Sequence, residues 1–352
     1  MARQLRYFEA IREAQAQLLA TDPRTYVVGL GVPGPTGVFG TTKGLREEFG
    51  AHRVLDMPSS ENAMTGIALG TAVMGKRPIM VHMRVDFAVL AMEPLVNQAA
   101  KWHYMYGGKI RAPMTVRMIV GRGWGQGPQH SQSLQAWFGH VPGLKVVMPV
   151  TPYDAKGMLI AASRDDAPVI VFEHRWLYAI SGPVPESMYE VPLDSAAIVR
   201  PGRDITLAAT SYMTLESLRA AELLQKVGIE AEVVDLRCVA PIDVDTLVRS
   251  VSRTNRLIVS DTGHTHFGVG AEVVAAVCER AHAQLRSPPI RIGLPHVPTP
   301  TTPALADLYY PVARDIARQA LTSLGSNREL PPNPPDSRLW KDVPDTSFTG
   351  PY

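Results

Sequence analysis

Short apolar runs alternate with helix-length stretches along most of this sequence. After a helical pattern at 5–19, strand-like runs occur at 26–28, 54–55, 79–81, 114–119, 145–148 and 169–172. Strands that alternate with helices pair in parallel, because each helix returns the chain to the same edge of the sheet. Runs that are apolar throughout are typical of strands buried on both faces. The pattern therefore predicts an α/β fold with mostly parallel sheets flanked by helices.

A proline- and glycine-punctuated stretch at 181–202 interrupts this alternation and predicts a linker. Beyond it, strand patterns at 205–209, 231–236, 257–260 and 290–292 alternate with helical patterns at 215–226, 244–252, 269–283 and 312–324. We therefore predict two domains, 1–195 and 196–325. The last 27 residues, 326–352, hold six prolines and no periodicity, which predicts an extended tail, more simply solvated than wrapped around a neighbouring subunit.

Charge and composition exclude several classes of protein. With 35 Lys+Arg against 33 Asp+Glu, the chain has a formal net charge of +2 and no dense basic cluster, so we expect no nucleic-acid partner. No uncharged apolar stretch reaches the roughly 18–20 residues that span a bilayer, so we expect no membrane association. Two distant cysteines argue against a disulfide framework. These features favour a reducing, cytoplasmic location.

The segment Pro58-Ser59-Ser60-Glu61 follows a predicted strand and opens a helix. A serine before a glutamate is an ordinary helix start, because the carboxylate complements the positive end of the helix dipole. Open α/β sheets also place ligand sites at the carboxyl ends of their strands. By position alone, Glu61 is more typical of a helix start than of a catalytic acid.

A glycine-rich stretch, residues 121–127, follows another strand and leads to His130. Its spacing matches neither a dinucleotide-binding nor a P-loop fingerprint, so it predicts an adaptable loop. A histidine that ends such a loop among small polar residues can titrate near neutral pH. His130 is therefore a candidate acid–base residue.

Two other patterns carry weaker functional signals. Phe87, near the end of a strand, is a core residue or an aromatic that stacks on a heteroaromatic ring. His264 and His266 could chelate a metal ion, but no third ligand is identifiable by spacing, and the sequence does not favour a metal site there.

Several ordered segments resemble one family over about residues 3–324. This family is the β subunit of the E1 component of 2-oxo acid dehydrogenases (pyruvate, branched-chain and acetoin types), which is transketolase-like and depends on thiamine diphosphate. The matching segments are Gly37-Val38-Phe39 with Thr42-Lys43-Gly44-Leu45, Ser60-Glu61, Val96-Asn97-Gln98-Ala99-Ala100-Lys101, His130-Ser131-Gln132-Ser133, Pro142-Gly143-Leu144-Lys145-Val146-Val147, Thr151-Pro152-Tyr153-Asp154-Ala155-Lys156-Gly157, Arg164-Asp165-Asp166-Ala167-Pro168 and Val234-Asp235-Leu236-Arg237.

The resemblance implies roles for individual residues. Glu61 matches the glutamate that hydrogen-bonds the aminopyrimidine of thiamine diphosphate and promotes its activation. Phe87 matches the aromatic stacked on that ring, and His130 matches a histidine near the thiazolium that guides the substrate or acyl transfer. The backbone at Met114, Ala162, Ser163, Asp165 and Ala167 matches a K⁺ site of some members.

The resemblance also implies a partner. The Gly-Asp-Gly…Asn signature that holds the diphosphate through Mg²⁺ is absent from this sequence, and in the family it lies on a separate α subunit. An α₂β₂ heterotetramer is therefore expected, with this chain inactive alone. The implied reaction is oxidative decarboxylation of a small 2-oxo acid, with a lipoyl-bearing acyltransferase as acceptor.

Two alternatives remain open, and several positions depart from the family, among them His264 and His266 in a loop that is commonly Lys/Thr/Gly-rich. The alternatives are a thiamine-dependent carboligase subunit, acyloin-forming or transketolase-like, and a non-catalytic assembly subunit. Leu30 and Val81 stand where the family has acids, and Arg84 takes an often aromatic or polar place. These changes make the region more cationic and favour an anionic substrate or acceptor that differs from the common complexes.

Overall fold

The computed structural model describes residues 3–332, 340–344 and 350, and they form two compact units. The first unit contains residues 3–120 and 137–193. The second contains residues 121–136, 194–332 and 340–344. The glycine-rich loop at 121–127 therefore belongs to the second unit, although it precedes the predicted domain boundary in the chain.

The first unit consists of strands and helices that alternate as predicted. Its strands are β1 (Gln4–Arg6), β2 (Thr25–Gly29), β3 (Val54–Leu55), β4 (Arg77–His82), β5 (Thr115–Val120), β6 (Lys145–Val147), β7 (Val169–His174) and β8 (Ser181–Pro183). Its helices are α1 (Tyr7–Thr21), α2 (Leu45–Phe49), α3 (Glu61–Val73), α4 (Val85–Ala88), α5 (Ala100–Met105) and α7 (Pro152–Arg164), while α6 (Gln135–Gly139) joins it from the preceding loop.

The central sheet of this unit is parallel in the order β6-β7-β5-β4-β2-β3. β5 and β7 are buried at every residue, which explains why their sequences lack an apolar–polar alternation. β1 and β8 form a separate antiparallel pair. The parallel order places every loop that follows a strand at the same edge of the sheet.

Buried charges in the first unit are compensated by opposite charges. The fully buried Arg117 donates to Glu173 at 2.8 Å, and also to Gln15 and to the Thr41 hydroxyl, both at 2.9 Å. Lys156, also fully buried, pairs with Glu13 at 2.7 Å. A buried charge is tolerated only when it is paired and hydrogen-bonded, so these contacts tie α1 and the loop after β2 to the sheet.

The second unit is a smaller α/β layer structure. Its strands are β9 (Ala197–Arg200), β10 (Ile205–Ala209), β11 (Ala231–Asp235), β12 (Cys238–Ala240), β13 (Leu257–His264) and β14 (Ile290–Leu294). Its helices are α8 (Tyr212–Gln225), α9 (Val244–Thr254), α10 (Val269–Ala281), α11 (Pro303–Tyr309) and α12 (Ala313–Leu324).

The sheet of the second unit has the order β14-β13-β10-β11-β9, parallel except for β9. Helices α8 and α12 pack together over an apolar cluster that includes Leu207, Val233 and Ile316. Each long strand of the second unit begins within one residue of the start that the sequence pattern predicted. β9 and α11 were missed, because β9 is a half-exposed edge strand and α11 starts at a proline inside a proline-dense stretch.

The tail is not wholly solvated. Asp342 is buried, and its carbonyl accepts a hydrogen bond from the Trp124 N–H at 2.8 Å. Local periodicity cannot predict such a contact, since more than 200 residues separate the two partners. The predicted extended arm at 333–339, 345–349 and 351–352 lies outside the described residues.

Candidate functional site

Glu61 and Phe87 lie at the carboxyl edge of the first unit's sheet. Glu61 is the first residue of α3, which follows β3, and Phe87 lies in α4, which follows β4. β3 and β4 both pair in parallel with β2, so their ends are about 10 Å apart. The fold therefore gathers these two predicted site residues on one side of the sheet.

The carboxylate of Glu61 accepts no hydrogen bond from the residues that the structure describes, and it is partly exposed. The helix N-terminus favours its negative charge. Phe87 is 42% exposed, in a helical segment whose continuation packs against α3. Glu61 thus offers an acceptor at this edge, and the partly exposed aromatic side chain of Phe87 is of the type that stacks on a planar heteroaromatic group.

The end of β2 lies very close to the end of β4 at this edge. A Cβ on Gly29 would lie 2.4 Å from the Val81 carbonyl oxygen, so only glycine fits there. Further along, the Thr42 hydroxyl donates to the Val32 carbonyl at 2.8 Å and accepts from the Val38 N–H at 2.9 Å. These two bonds explain why a threonine follows the Gly37-Val38-Phe39 motif.

Two arginines lie at the same edge. Arg84 precedes α4, and Arg175 directly follows β7, with its guanidinium 5.1 Å from the centre of the Phe39 ring. Burial, and then the nearby positive charge of Arg84, lowers the pKa of Arg175 to about 10. Burial also lowers the pKa of Arg84. Each guanidinium is therefore costly to keep charged, and an anion placed near both would relieve that cost.

His130 lies in the second unit, at the exposed end of the segment that begins with the glycine-rich loop. Its N–H donates to the Gly127 carbonyl at 3.5 Å, so a turn presents the imidazole. The structure thus places Glu61 and Phe87 in one unit and His130 in the other.

The segment that carries His130 is anchored by residues that the sequence analysis missed. The buried Gln135 donates to the Asp261 carboxylate at 2.7 Å, and the Thr210 hydroxyl donates to the same oxygen at 2.5 Å. Burial raises the pKa of Asp261, although the Thr210 and Gln135 hydrogen bonds oppose that rise. Two features of the sequence could have pointed to these residues: an acid that continues the apolar run of β13, and a glutamine between the apolar residues Leu134 and Ala136.

The predicted cation ligands lie at the opposite, amino edge of the first unit's sheet. Met114 precedes β5, Ala162 and Ser163 lie in the last turn of α7, and Asp165 and Ala167 lie between α7 and β7. The Arg77 guanidinium donates to the Ser163 and Asp165 carbonyls at 3.0 and 2.9 Å, so these two oxygens converge on one cationic group. Backbone oxygens suit a hard cation, and an open cavity of about 440 Å³ adjoins Asp165 and Ala167.

The structure brings a third histidine to the pair at 264 and 266. The rings of His266 and His296 have centroids 4.5 Å apart, and those of His264 and His296 are 6.4 Å apart. Even so, within the described part of the chain no group of three or more His, Cys, Asp or Glu side chains could hold a metal ion.

Comparison with known families agrees with this architecture. The family model described as "Transketolase, pyrimidine binding domain" matches residues 3–180, and "Transketolase, C-terminal domain" matches residues 194–316. The chain therefore belongs to the transketolase family. Within that family it is a β subunit of the E1 type, which the following relatives define.

Two bacterial proteins named "Acetoin:2,6-dichlorophenolindophenol oxidoreductase subunit beta" are among the most similar relatives. The Cupriavidus necator protein is 43% identical over 91% of this chain and 97% of its own length, and the Bacillus subtilis protein is 41% identical over 92% and 98%. The mitochondrial "Pyruvate dehydrogenase E1 component subunit beta" of Chaetomium thermophilum is 40% identical over 90% of this chain and 84% of its own.

A solved structure shares the fold. "Split gene transketolase, inactive beta4 tetramer" matches with a TM-score of 0.75 and 22% identity over 92% of this chain and 99% of its own. In the residues that the structure describes, none of the helices has the length and apolar character needed to cross a membrane.

Proposed function

We propose that this chain is the β subunit of a thiamine-diphosphate-dependent 2-oxo acid dehydrogenase and supplies the acid that activates the cofactor. The observation that carries the proposal is the Glu61 carboxylate, which the described residues leave without a hydrogen-bond donor, at the carboxyl edge that also presents Phe87. A carboxylate in this position fits a ring nitrogen that shares its proton, and Phe87 fits the flat face of the same ring.

The bound cofactor would supply the nucleophilic carbon and the electron sink for decarboxylation. Glu61 would hold a proton at the pyrimidine nitrogen, and Phe87 would orient the ring and exclude water from one face. His130 would move a proton to or from the substrate. Since the chain lacks the diphosphate signature, a separate α subunit would hold the diphosphate and Mg²⁺ in an α₂β₂ assembly, in the cytoplasm.

Glu61→Gln tests the proposal directly, because the amide keeps the shape of the side chain but cannot share a proton. In the chain reconstituted with an α subunit, we expect thiamine-dependent turnover to fall by about 10²-fold or more, the range typical of acid–base residues. Glu47→Gln, which changes an exposed glutamate on α2, is the matched control and should keep full turnover. Unchanged turnover in Glu61→Gln would refute the assignment and favour a non-catalytic assembly subunit.

The acceptor distinguishes the dehydrogenase from the carboligase alternative. With a lipoyl-bearing acyltransferase, dihydrolipoyl dehydrogenase, CoA and NAD⁺ present, a dehydrogenase subunit produces NADH in proportion to decarboxylation. A carboligase subunit instead releases an acyloin when an aldehyde is added. The relatives named for acetoin and pyruvate enzymes support the dehydrogenase.

Arg84 and Arg175 indicate the class of substrate. Two guanidinium groups at the carboxyl edge favour a substrate or acceptor that carries an extra negative charge beyond the 2-oxo acid carboxylate. A panel of monocarboxylic and dicarboxylic 2-oxo acids tests this: the dicarboxylic members should have the highest kcat/KM. If pyruvate is the best substrate of the panel, the arginines serve another purpose.

We propose a structural K⁺ site at the backbone of Met114, Ala162, Ser163, Asp165 and Ala167, which is supported by the convergence of the Ser163 and Asp165 carbonyls on Arg77. They lie at the amino edge of the sheet, away from Glu61 and Phe87. An ion there would stabilise the junction of α7 and β7 without contact with the substrate.

A further inference from the structure

The C-terminal segment 340–344, which we call the strap, lies beyond both family models, the second of which ends at residue 316. It contacts the glycine-rich loop where the Trp124 N–H donates to the Asp342 carbonyl at 2.8 Å. Asp342 is only 4% exposed, so this bond is shielded from water. A shielded hydrogen bond between a tail and a loop indicates a built contact and not a chance encounter.

The strap is itself anchored to the helices of the second unit. The Lys341 N–H donates to the Asp307 carboxylate of α11 at 2.7 Å, and the Lys341 ammonium lies 3.2 Å from Asp315 of α12. The strap therefore connects α11 and α12 to the glycine-rich loop.

The glycine-rich loop requires such support. Trp124 has a φ of +53°, a left-handed conformation that a bulky residue adopts only when its surroundings impose it. Thr301 lies close to another side of the loop. A Cβ on Gly127 would lie 2.9 Å from the Thr301 hydroxyl oxygen, so there is no room for a side chain at this position. The buried Arg122 guanidinium at the start of the loop lies 4.5 Å from the centre of the Tyr310 ring.

From these contacts we propose that the strap holds the glycine-rich loop in its strained conformation and thereby positions His130 for the reaction. The strap is a positioning segment, and its effect on turnover rests on the proposed function of His130. The effect of the strap on the loop does not rest on that function, because it depends only on contacts within this chain.

Hydrogen exchange at the Trp124 amide tests the effect on the loop in the full chain. A chain that ends at residue 332 loses the strap, and Asp307→Ala removes the acceptor that anchors it, whereas Asp307→Asn keeps an oxygen acceptor. We expect the Trp124 amide to exchange about tenfold faster in the truncated chain and in Asp307→Ala, but not in Asp307→Asn. A synthetic peptide of residues 338–352 should restore protection to the truncated chain.

Arg328→Ala is the matched control, because Arg328 ties an earlier part of the tail to the Val227 carbonyl at 2.7 Å and leaves the strap in place. It should exchange like the wild type. If the Trp124 amide is as well protected in the truncated chain as in the wild type, the strap does not hold the loop. If the truncated chain does not fold, the exchange of the same amide in Asp307→Ala decides the question.

Turnover of the reconstituted enzyme tests the action through His130. Loss of the strap should lower kcat about tenfold with little change in the KM of the 2-oxo acid. In a chain that already carries His130→Ala, loss of the strap should not lower kcat further. An equal loss in the His130→Ala background would show that the strap does not act through His130. Absence of thiamine-dependent turnover in the wild type would refute the proposed function, while the exchange result would still decide the effect on the loop.

Discussion

At the scale of the residue, the carboxyl edge of the first unit combines one available acid with two arginines. Glu61 could be identified from the sequence as a candidate because it matches a family motif. Arg175 could not, because its relation to Arg84 arises from two strands that lie far apart in the chain. Its pKa is lowered to about 10, first by burial and then by the positive charge of Arg84.

Arg84→Met tests whether this charge binds substrate. Methionine keeps much of the apolar stem but removes the guanidinium, so we expect the KM of a dicarboxylic 2-oxo acid to rise by about 10-fold or more, with a smaller change in kcat. A charge-assisted hydrogen bond contributes about 1.5–3 kcal/mol, which accounts for that factor. Steady-state kinetics of the reconstituted enzyme measure it.

Arg46→Met, at an exposed arginine of α2, is the control and should leave the KM unchanged. An equal rise in KM for a monocarboxylic 2-oxo acid would contradict the role of Arg84 in binding the extra negative charge and indicate a change in the shape of the site.

At the scale of the element, segment 121–136 depends on anchors that come from distant parts of the second unit. Asp261 on β13 accepts from Gln135 and from Thr210, which follows β10. The carboxyl edge of this sheet therefore holds the segment after the glycine-rich loop, as the strap holds the loop itself.

The raised pKa of Asp261 predicts a specific pH dependence of stability. The folded chain binds the proton of the Asp261 carboxyl more tightly than the unfolded chain does. The contribution of this proton to the stability of the fold is therefore complete below the ordinary carboxyl pKa near 4. It is lost as the pH rises through the folded-state pKa. Asp261→Asn removes the titration, so the Tm of the wild type should fall relative to that of the variant as the pH rises from about 4.

Calorimetry between pH 4 and pH 8 can detect this change, since about 1 kcal/mol shifts the Tm of such a domain by roughly 2–4 °C. Asp194→Asn, at an exposed aspartate, should follow the wild type at every pH. A constant difference in Tm between wild type and Asp261→Asn would contradict the raised pKa.

At the scale of the whole molecule, the chain carries part of a catalytic apparatus and lacks another part. It belongs to the transketolase family over both matched regions, yet its sequence has no diphosphate signature. Under the proposed function, a second polypeptide would hold the diphosphate, and assembly would be a condition of activity.

The proposed K⁺ site predicts a stability effect of the whole chain. At equal ionic strength, the Tm should be a few degrees higher in KCl than in choline chloride, because an ion that binds only the folded state stabilises it by mass action. RbCl should substitute for KCl, since Rb⁺ has a similar radius. Equal Tm values in all three salts would show that Arg77 already satisfies these carbonyls and that no ion binds.

The sequence by itself determined the long strands and helices, and it named Glu61 as the candidate acid. Apolar runs and helical periodicity are local properties, so they located the long strands of both units, and the motifs around Glu61 and Phe87 could be recognised from neighbouring residues. The absence of the diphosphate signature, which implies a partner, could also be read directly.

Only the tertiary structure decided which distant groups meet. The pairing of Gln135 with Asp261, the proximity of Arg84 and Arg175, and the contact of the strap with Trp124 each join positions tens to hundreds of residues apart. Residue spacing carries no information about such contacts, because the order of strands in the sheets and the burial of each side chain create them.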